Sequence, residues 1–276
     1  MGLNIRQVIN QNFENLKEYL KTLNSVAVSF SSGVDSTFLL KTAKDVLGEN
    51  NVIAVTAKSC IYPERDFNAA IDFCQKENIK HFIIETDELN ISDFCSNPEN
   101  RCYLYKKDLF EKIKKIAKDN GMENVIEGSN SDVETPDLNF SNNAAQELGI
   151  KSPLQESKLS KDEVRIISNV LNLETWNKPS LGCLVSRFDY GEEITKEKLK
   201  MVENAEQALL DIGFRQFRVY IHSSLARIVL ARDEVAKFLS QREKVLEKFT
   251  AIGFKHTALD LQGYKTKNLS EELTDI

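Results

Sequence analysis

No run of apolar residues in this 276-residue chain approaches the roughly 20 that a membrane-spanning helix needs, so a membrane is not among the expected partners. The N-terminus, MGLNIRQVINQNFENLKEYLKTL, lacks the basic start and continuous apolar core of a signal peptide, and a cytoplasmic location is expected. Five cysteines make an odd number, which without an export signal argues against a disulfide framework. They are read as reduced thiols. Positive charge is not in excess either: 36 Lys and Arg stand against 42 Asp and Glu, a net charge of −6. Duplex nucleic acid needs clustered cations to neutralise its phosphates, so it is not an expected partner. Internal repeats and low-complexity tracts are also absent.

What is present is the length and apolar content, 41%, for a substantial buried core in one large domain or two modest ones. SVAVSF (25–30), VIAVTA (52–57), HFIIET (81–86) and NVIEGSN (124–130) read as strands. Helical periodicity lies between them, over 38–47, 63–76 and 101–119. Apolar strands alternating with helices predict an α/β fold, a parallel twisted sheet with helices on both faces, which binds ligands beyond the carboxyl ends of its strands. PDLNFSNN (136–143) is rich in turn formers, and Ser160 with Glu163 makes a capping-box pattern opening a helix through Leu171. Beyond Thr195 the order helix (196–210), strand (215–221), strand (226–230), helix (233–249), strand (258–261) predicts a small α+β C-terminal domain. The expected division is 1–190 and 191–276.

Between the first strand and its helix lies SFSSGVDS. Gly33 permits backbone conformations and close approaches that a side chain would block, while hydroxyls and amides at a helix N-terminus point at an anion. A Walker A lysine and a Rossmann GxGxxG are both missing here, which weakens the common nucleotide-loop alternatives. The wording SxGxDS after a strand resembles the PP-loop of the N-type ATP pyrophosphatases, usually SGGxDS, with Ser32 in place of the first glycine. That resemblance implies a HUP-like domain that cleaves ATP to AMP and pyrophosphate with Mg2+. Ser31, Ser32, Gly33, Asp35 and Ser36 would contact the β- and γ-phosphates or the metal, with Asp35 the metal ligand. Ser29, Ala57, Gly128 and Asn130, at or just past strand ends, complete the expected nucleotide site.

Further segments run nearly the length of the chain: SCIYPERDF (59–67), NRCYLYKKDLF (100–110), IEGSNSD (126–132), GIKSPLQESKLSKDEVR (149–165), WNKPSLGCLVSRFDYGEEIT (176–195) and FRVYIHSSLARIVL (217–230). Together they resemble the LarE-type ATP-dependent sulfur transferases. The family adenylylates a carboxylate of a pyridinium mononucleotide and replaces the activated oxygen by sulfur. A carboxylate is a poor electrophile, but its mixed anhydride with AMP has a good leaving group that a thiolate can expel. Lys106 is the candidate for offsetting charge on pyrophosphate.

The resemblance places Cys183 as the reactive thiol, beside Ser186 and Arg187, where a guanidinium would favour the thiolate. In one LarE class a cysteine of this loop is sacrificed, but one residue earlier, where Gly182 stands. In the other class three cysteines hold an iron–sulfur cluster. Here Cys102 and Cys183 match two of them and Tyr105 replaces the third, so a cluster is disfavoured against a thiol or persulfide route. Cys102 is a candidate second thiol or relay. Cys60, Cys74 and Cys95 are read as packing residues.

On the acceptor side Ser186, Arg187, Glu206 and Arg218 match the family as substrate-binding residues, with His222 and Arg227 as further candidates. SDVETPDLNFSNN, Tyr220 and Lys237 depart from its pattern. The expected acceptor is therefore a small-molecule carboxylate or amide, with a related thioamide-forming reaction left open. A sulfur-donor protein is a further expected partner, and the resemblance implies a homo-oligomer. Two other readings stay open: an NAD-synthase-like amidating pyrophosphatase using ammonia from a glutaminase partner, and a nucleotide-binding module without turnover.

Overall fold

The computed structural model describes residues 5–132, 136–179 and 182–264, with the side chains of 5–8, 10 and 136–138 left aside. It divides into two compact units, Met1–Asp87 with Glu99–Ser180, and Glu88–Pro98 with Leu181–Ile276. Residues 88–98 thus join the second unit from within the first.

The larger unit runs α1 (Ile5–Lys21), β1 (Val26–Ser29), α2 (Val34–Leu47), β2 (Val52–Lys58), α3 (Glu64–Lys76), β3 (Lys80–Glu85), α4 (Arg101–Asp119), β4 (Asn124–Ile126), α5 (Pro136–Glu147), α6 (Pro153–Glu156) and α7 (Lys161–Val170). Its four strands pair in the order β3-β2-β1-β4, all parallel. Side chains alternate across the sheet as the strand period of two requires. Val26, Val28, Val52 and Ala54 point into a core with α1, α2, α3 and α7, through Leu16, Leu20, Phe38, Leu39, Ala70 and Val164. Ala27, Ile53, Val55 and Val125 point the other way, into a core with Phe110 and Ile113 of α4 and Ala144 and Ala145 of α5. Both faces are covered, as the apolar strand runs predicted.

The chain steps outward from β1 to β2 to β3 and then crosses to β4 on the far side of β1. The reversal falls between β1 and β4. A doubly wound sheet binds its ligand at such a switch point, outside the carboxyl ends of the strands.

Several elements differ from the sequence reading. The turn-rich 136–143 lies within α5, because Pro136 takes the first helical position, where its missing N–H costs nothing, and Ala144 and Ala145 bury against the sheet. β4 stops at Ile126, and its edge is continued by a bridge to Lys151, with Glu127 N–H donating to the Lys151 carbonyl. The capping box at Ser160 forms, with both reciprocal bonds to Glu163.

The smaller unit contains α8 (Lys196–Ile212), β5 (Phe217–His222), β6 (Leu225–Leu230), α9 (Val235–Ser240), α10 (Arg242–Ile252) and β7 (His256–Leu259). β5 pairs antiparallel with β6, and β6 parallel with β7. The helix expected over 233–249 is broken at Gln241, whose N–H closes the end of α9 onto Lys237 and Phe238 carbonyls before α10 starts. On β5, Phe217, Val219 and Ile221 are buried while Arg218, Tyr220 and His222 share the partly exposed face.

Candidate active site

β1 ends at the switch point, and the next residues build a tight loop. Phe30 N–H still donates to Val55, and the Phe30 carbonyl accepts from the Thr56 hydroxyl at 2.9 Å. Ser32 then takes a left-handed φ of 54°, whereas Gly33 is extended, at φ −73° and ψ 168°. This corrects the expectation that Gly33 supplies the unusual backbone: Ser32, standing where the PP-loop usually has glycine, occupies the glycine-like conformation. Its cost, of order 1 kcal/mol, is offset by local bonds. Ser32 Oγ donates to the Asp66 carbonyl at 2.7 Å, and Lys178 Nζ donates to the Ser32 carbonyl at 3.0 Å.

Gly33 caps α2 without a side-chain bond, so the first-turn amides of the helix are left for an anion. The Ser31 and Ser36 hydroxyls lie 3.1 Å apart at this end. Gly128, just past β4, packs so closely that a Cβ there would lie 3.1 Å from Ser36 N. Its backbone forms a wall of the loop with little room for a side chain. Glu127 is buried and accepts from Ser129 N–H and Oγ and from Ser152 Oγ, which fixes the turn carrying Gly128.

The Asp35 carboxylate accepts from Asn130 Nδ2 at 3.2 Å and from Lys161 Nζ at 2.5 Å. The Asp35 carboxylate beside the N-terminal end of α2 would suit Mg2+, which takes one or two carboxylates and completes its shell with phosphate and water. Among the described residues no three His, Cys, Asp or Glu side chains gather as a metal-holding group. Ser29 and Ala57 stand at the carboxyl ends of β1 and β2, as expected.

Lys106 lies with Nζ over the rings of Phe110, at 5.1 Å, and Tyr105, at 6.0 Å. Two lysines that sequence reasoning passed over reach the loop: Lys161, at the start of α7, and Lys178, whose Nζ also meets Asp66 Oδ1 at 2.9 Å. The one signal available was the placement of Lys161 directly after the capping-box serine.

None of the five cysteines is joined to another in a disulfide. Burial pushes the Cys74 thiol up to about 12, so it stays protonated and inert. Cys102 is half-buried on α4, and one turn further along the Tyr105 hydroxyl comes within 3.5 Å of that of Tyr62.

In the smaller unit Cys183 precedes a short 3₁₀ turn, Leu184–Arg187. Ser186 Oγ donates to the Cys183 carbonyl at 2.7 Å and accepts from Arg187 Nη1. Arg187 Nε in turn bonds Glu206 Oε1 at 2.7 Å, with both side chains fully buried. The guanidinium therefore supports the cysteine turn from within the core. Gly182 has φ +67°, a conformation that a cysteine at that position would adopt only with strain.

On the partly exposed face of β5, Arg218 lies 5.5 Å from the Tyr264 ring. Burial alone would lower its guanidinium, but the Tyr220 hydroxyl and nearby groups raise it. Arg227 stacks on Tyr220 at 4.3 Å, pairs with Asp260 and donates to His222 Nε2 at 3.0 Å. His222 Nδ1 faces Asp189 at 3.0 Å, so the proton of the neutral ring sits on Nδ1.

The sequence profile of the NAD synthase family matches residues 8–121, which include the loop, α2 and most of the sheet. An uncharacterized protein of Synechocystis is 38% identical over 97% of this chain and all of its own length. The pyridinium-3,5-bisthiocarboxylic acid mononucleotide synthase of Lactiplantibacillus plantarum is 33% identical over 92% of each chain. This chain belongs to the LarE-like family of PP-loop proteins. An uncharacterized protein of Methanocaldococcus jannaschii, 28% identical over 91% of this chain and 95% of its own, is a more distant relative. The LarE-like family shares its loop with ATP pyrophosphatases that bind ATP, usually with Mg2+. ATP-dependent adenylylating chemistry is thus the activity class to which this fold and loop belong.

Proposed function

We infer that the protein is an ATP-dependent sulfur transferase that adenylylates a small-molecule carboxylate and exchanges the activated oxygen for sulfur. The observation that carries this reading is the similarity over 92% of both chains to an enzyme whose product is a bisthiocarboxylic acid. A thiocarboxylic acid is a carboxylic acid with one oxygen replaced by sulfur, the outcome expected of activation followed by thiolate attack.

Chemically, an acceptor carboxylate oxygen attacks the α-phosphorus of ATP and pyrophosphate leaves from the loop. Asp35 and the phosphates would hold Mg2+, which supplies charge neutralisation there. The Cys183 thiolate then attacks the acyl carbon and AMP departs with the bonding electron pair. Loss of the Cys183 α-proton and cleavage of its Cβ–Sγ bond would release the thiocarboxylate and leave dehydroalanine. A persulfide on Cys183 would instead pass on its outer sulfur. That route needs a sulfur donor, for which a donor protein is the proposed partner, and a thiol reductant to free the product. Ser186 and the buried Arg187–Glu206 pair hold the turn that carries Cys183. A homo-oligomer is proposed as the working assembly.

An amidating reaction is favoured by one observation, the match of residues 8–121 to the NAD synthase profile. That match ends before Cys183. The reactions separate in one experiment: incubation with ATP, Mg2+ and a library of carboxylate and amide acceptors, with pyrophosphate, thioacid and intact protein mass as readouts. Sulfur transfer predicts acceptor-dependent pyrophosphate and a protein that loses about 34 Da for a sacrificed cysteine or begins about 32 Da heavy as a persulfide. Cys183→Ala should still release pyrophosphate but form no thioacid. Normal thioacid formation by that variant would remove Cys183 from the reaction, and ammonia-dependent amide formation would replace the sulfur-transfer reading.

A further inference from the structure

The two edges of the parallel sheet are finished differently. β4, at one edge, is three residues long, and its line is continued by the bridge to Lys151. β3, at the other, is six residues long and regular, and it pairs with β2 alone, so the N–H and C=O groups along its outer side have no strand partner among the described residues. Soluble proteins usually blunt such an edge with proline, a bulge, a central charge or a covering segment. The strand KHFIIE contains no proline or bulge, and its charges stand at its two ends.

Its side chains are as open as its backbone. Ile83 is 47% exposed, although Thr56, opposite it on β2, is buried. Beside it a groove of about 500 Å3 runs between α3 and the strand, with Ile71, Cys74, Ile79, His81 and Ile83 in its walls. The uncovered centre of the edge is therefore apolar.

The ends carry charges that the chain does not pair. Lys80 Nζ reaches Asn120 Oδ1 and the Phe82 ring, and Glu85 has no ionic partner among the described residues. A parallel copy of the strand would set like ends together. An antiparallel copy sets each Lys80 end beside the other's Glu85 end, within a Debye length of about 8 Å.

Symmetry narrows the register. A two-fold axis perpendicular to the sheet keeps each face on its own side, so residues can oppose only residues of the same face. With the axis at Ile83, that residue meets its own copy, Phe82 opposes Ile84, Lys80 opposes Thr86 and His81 opposes Glu85. No like charges meet, and the Phe82–Ile84 pairs are the aromatic and β-branched kind that favours strand pairing.

We propose that β3 is an interaction surface for a second copy of this chain, the two strands pairing antiparallel about Ile83 and joining two four-stranded sheets into one. The inference is independent of the sulfur-transfer reading and gives the proposed homo-oligomer a contact.

Light scattering on the full-length protein at micromolar concentration tests it. Ile83→Lys should halve the mass in solution relative to wild type, while Ile83→Val, which keeps an apolar strand former, should leave it unchanged. Because Ile83 is not a core residue, both variants should retain the far-UV circular dichroism of wild type. A wild-type protein with the mass of a single chain, or Ile83→Lys with the mass of wild type, would overturn the proposal.

Air oxidation of Ile83→Cys provides a measurement that no folding defect can imitate. Residues opposed across the axis have Cα atoms about 4.5–5.5 Å apart, within disulfide reach, so this variant should form a linked dimer. In Glu85→Cys the two positions are offset along the strands by about four residues, roughly 14 Å, and should not link. Wild-type protein, with the same five native cysteines, sets the background. Absence of a linked dimer in Ile83→Cys, or equal linking in the two variants, would also overturn the pairing.

Discussion

Arg187 and Glu206 form an ion pair inside the smaller unit, with Nε 2.7 Å from Oε1 and neither side chain exposed to solvent. Glu206 Oε1 also accepts from Val219 N–H, which ties the pair to β5. Removing one partner leaves a buried charge behind. Arg187→Met or Glu206→Gln should each cost about 3–5 kcal/mol in urea unfolding, whereas Arg187→Met/Glu206→Leu should recover much of that loss. Additive losses in the double variant would show that the two groups are not coupled. The singles should also loosen the Cys183 turn, seen as faster alkylation of Cys183 in folded protein.

Ser32 sets a second test because strain and hydrogen bonding oppose each other there. Ser32→Gly removes the left-handed strain and loses the bond to the Asp66 carbonyl, so stability should change little. Ser32→Ala keeps the strain and loses the bond. It should be less stable than Ser32→Gly by about 1 kcal/mol, measured by denaturant midpoint. Equal stability of the two variants would mean that the φ of 54° costs nothing.

Gly128 bears on ligand binding through a steric contact. In Gly128→Ala the new methyl would meet Ser36 N at 3.1 Å and Cα at 3.3 Å, both backbone atoms that cannot swing aside. The expected cost is about 1–3 kcal/mol of stability, with weaker ATP binding as the start of α2 is pushed out of place. Unchanged ATP affinity would separate the Gly128 wall from the nucleotide site.

A pH dependence follows from His81. Its Nε2 lies 2.8 Å from Thr56 Oγ1, whose own proton goes to the Phe30 carbonyl, so Nε2 carries the hydrogen. Burial lowers the imidazole below its ordinary value of 6.5. With the folded value depressed, the folded protein binds fewer protons than the unfolded chain in weak acid. The stability contribution is therefore complete above about pH 6.5 and is lost as pH falls through the folded value. His81→Gln, which retains a donor to Thr56 but does not titrate, should show a shallower loss of stability between about pH 7 and pH 5. Parallel curves for variant and wild type would remove His81 from the acid response.

Much of the larger unit was legible because its signals are local. The β-branched run at Val26–Ser29, the small residues after it and the helical spacing of Phe38, Leu39 and Ala43 identify strand, loop and helix within one short stretch. Ser160 and Glu163 announce the start of α7 three residues apart. Helix α5 escaped such reading because its turn-forming residues became helical only when Ala144 and Ala145 found a buried partner in α4 and the sheet. The break at Gln241 is similar, since periodicity carried across it.

By itself, then, the sequence determined the class of fold, the loop that opens α2 and the family to which the chain belongs, since each depends on residues adjacent along the chain or on the order of whole segments. Tertiary structure decided the rest: that Ser32 holds the left-handed turn, that Arg187 faces the core, and that Lys161 and Lys178 attend the loop. Charged side chains read the same in a sequence whether solvated or buried. Only the folding that carries α7 back to β1 gives these lysines their carboxylates, and only the packing of α8 on the Leu184–Arg187 turn gives Arg187 its partner.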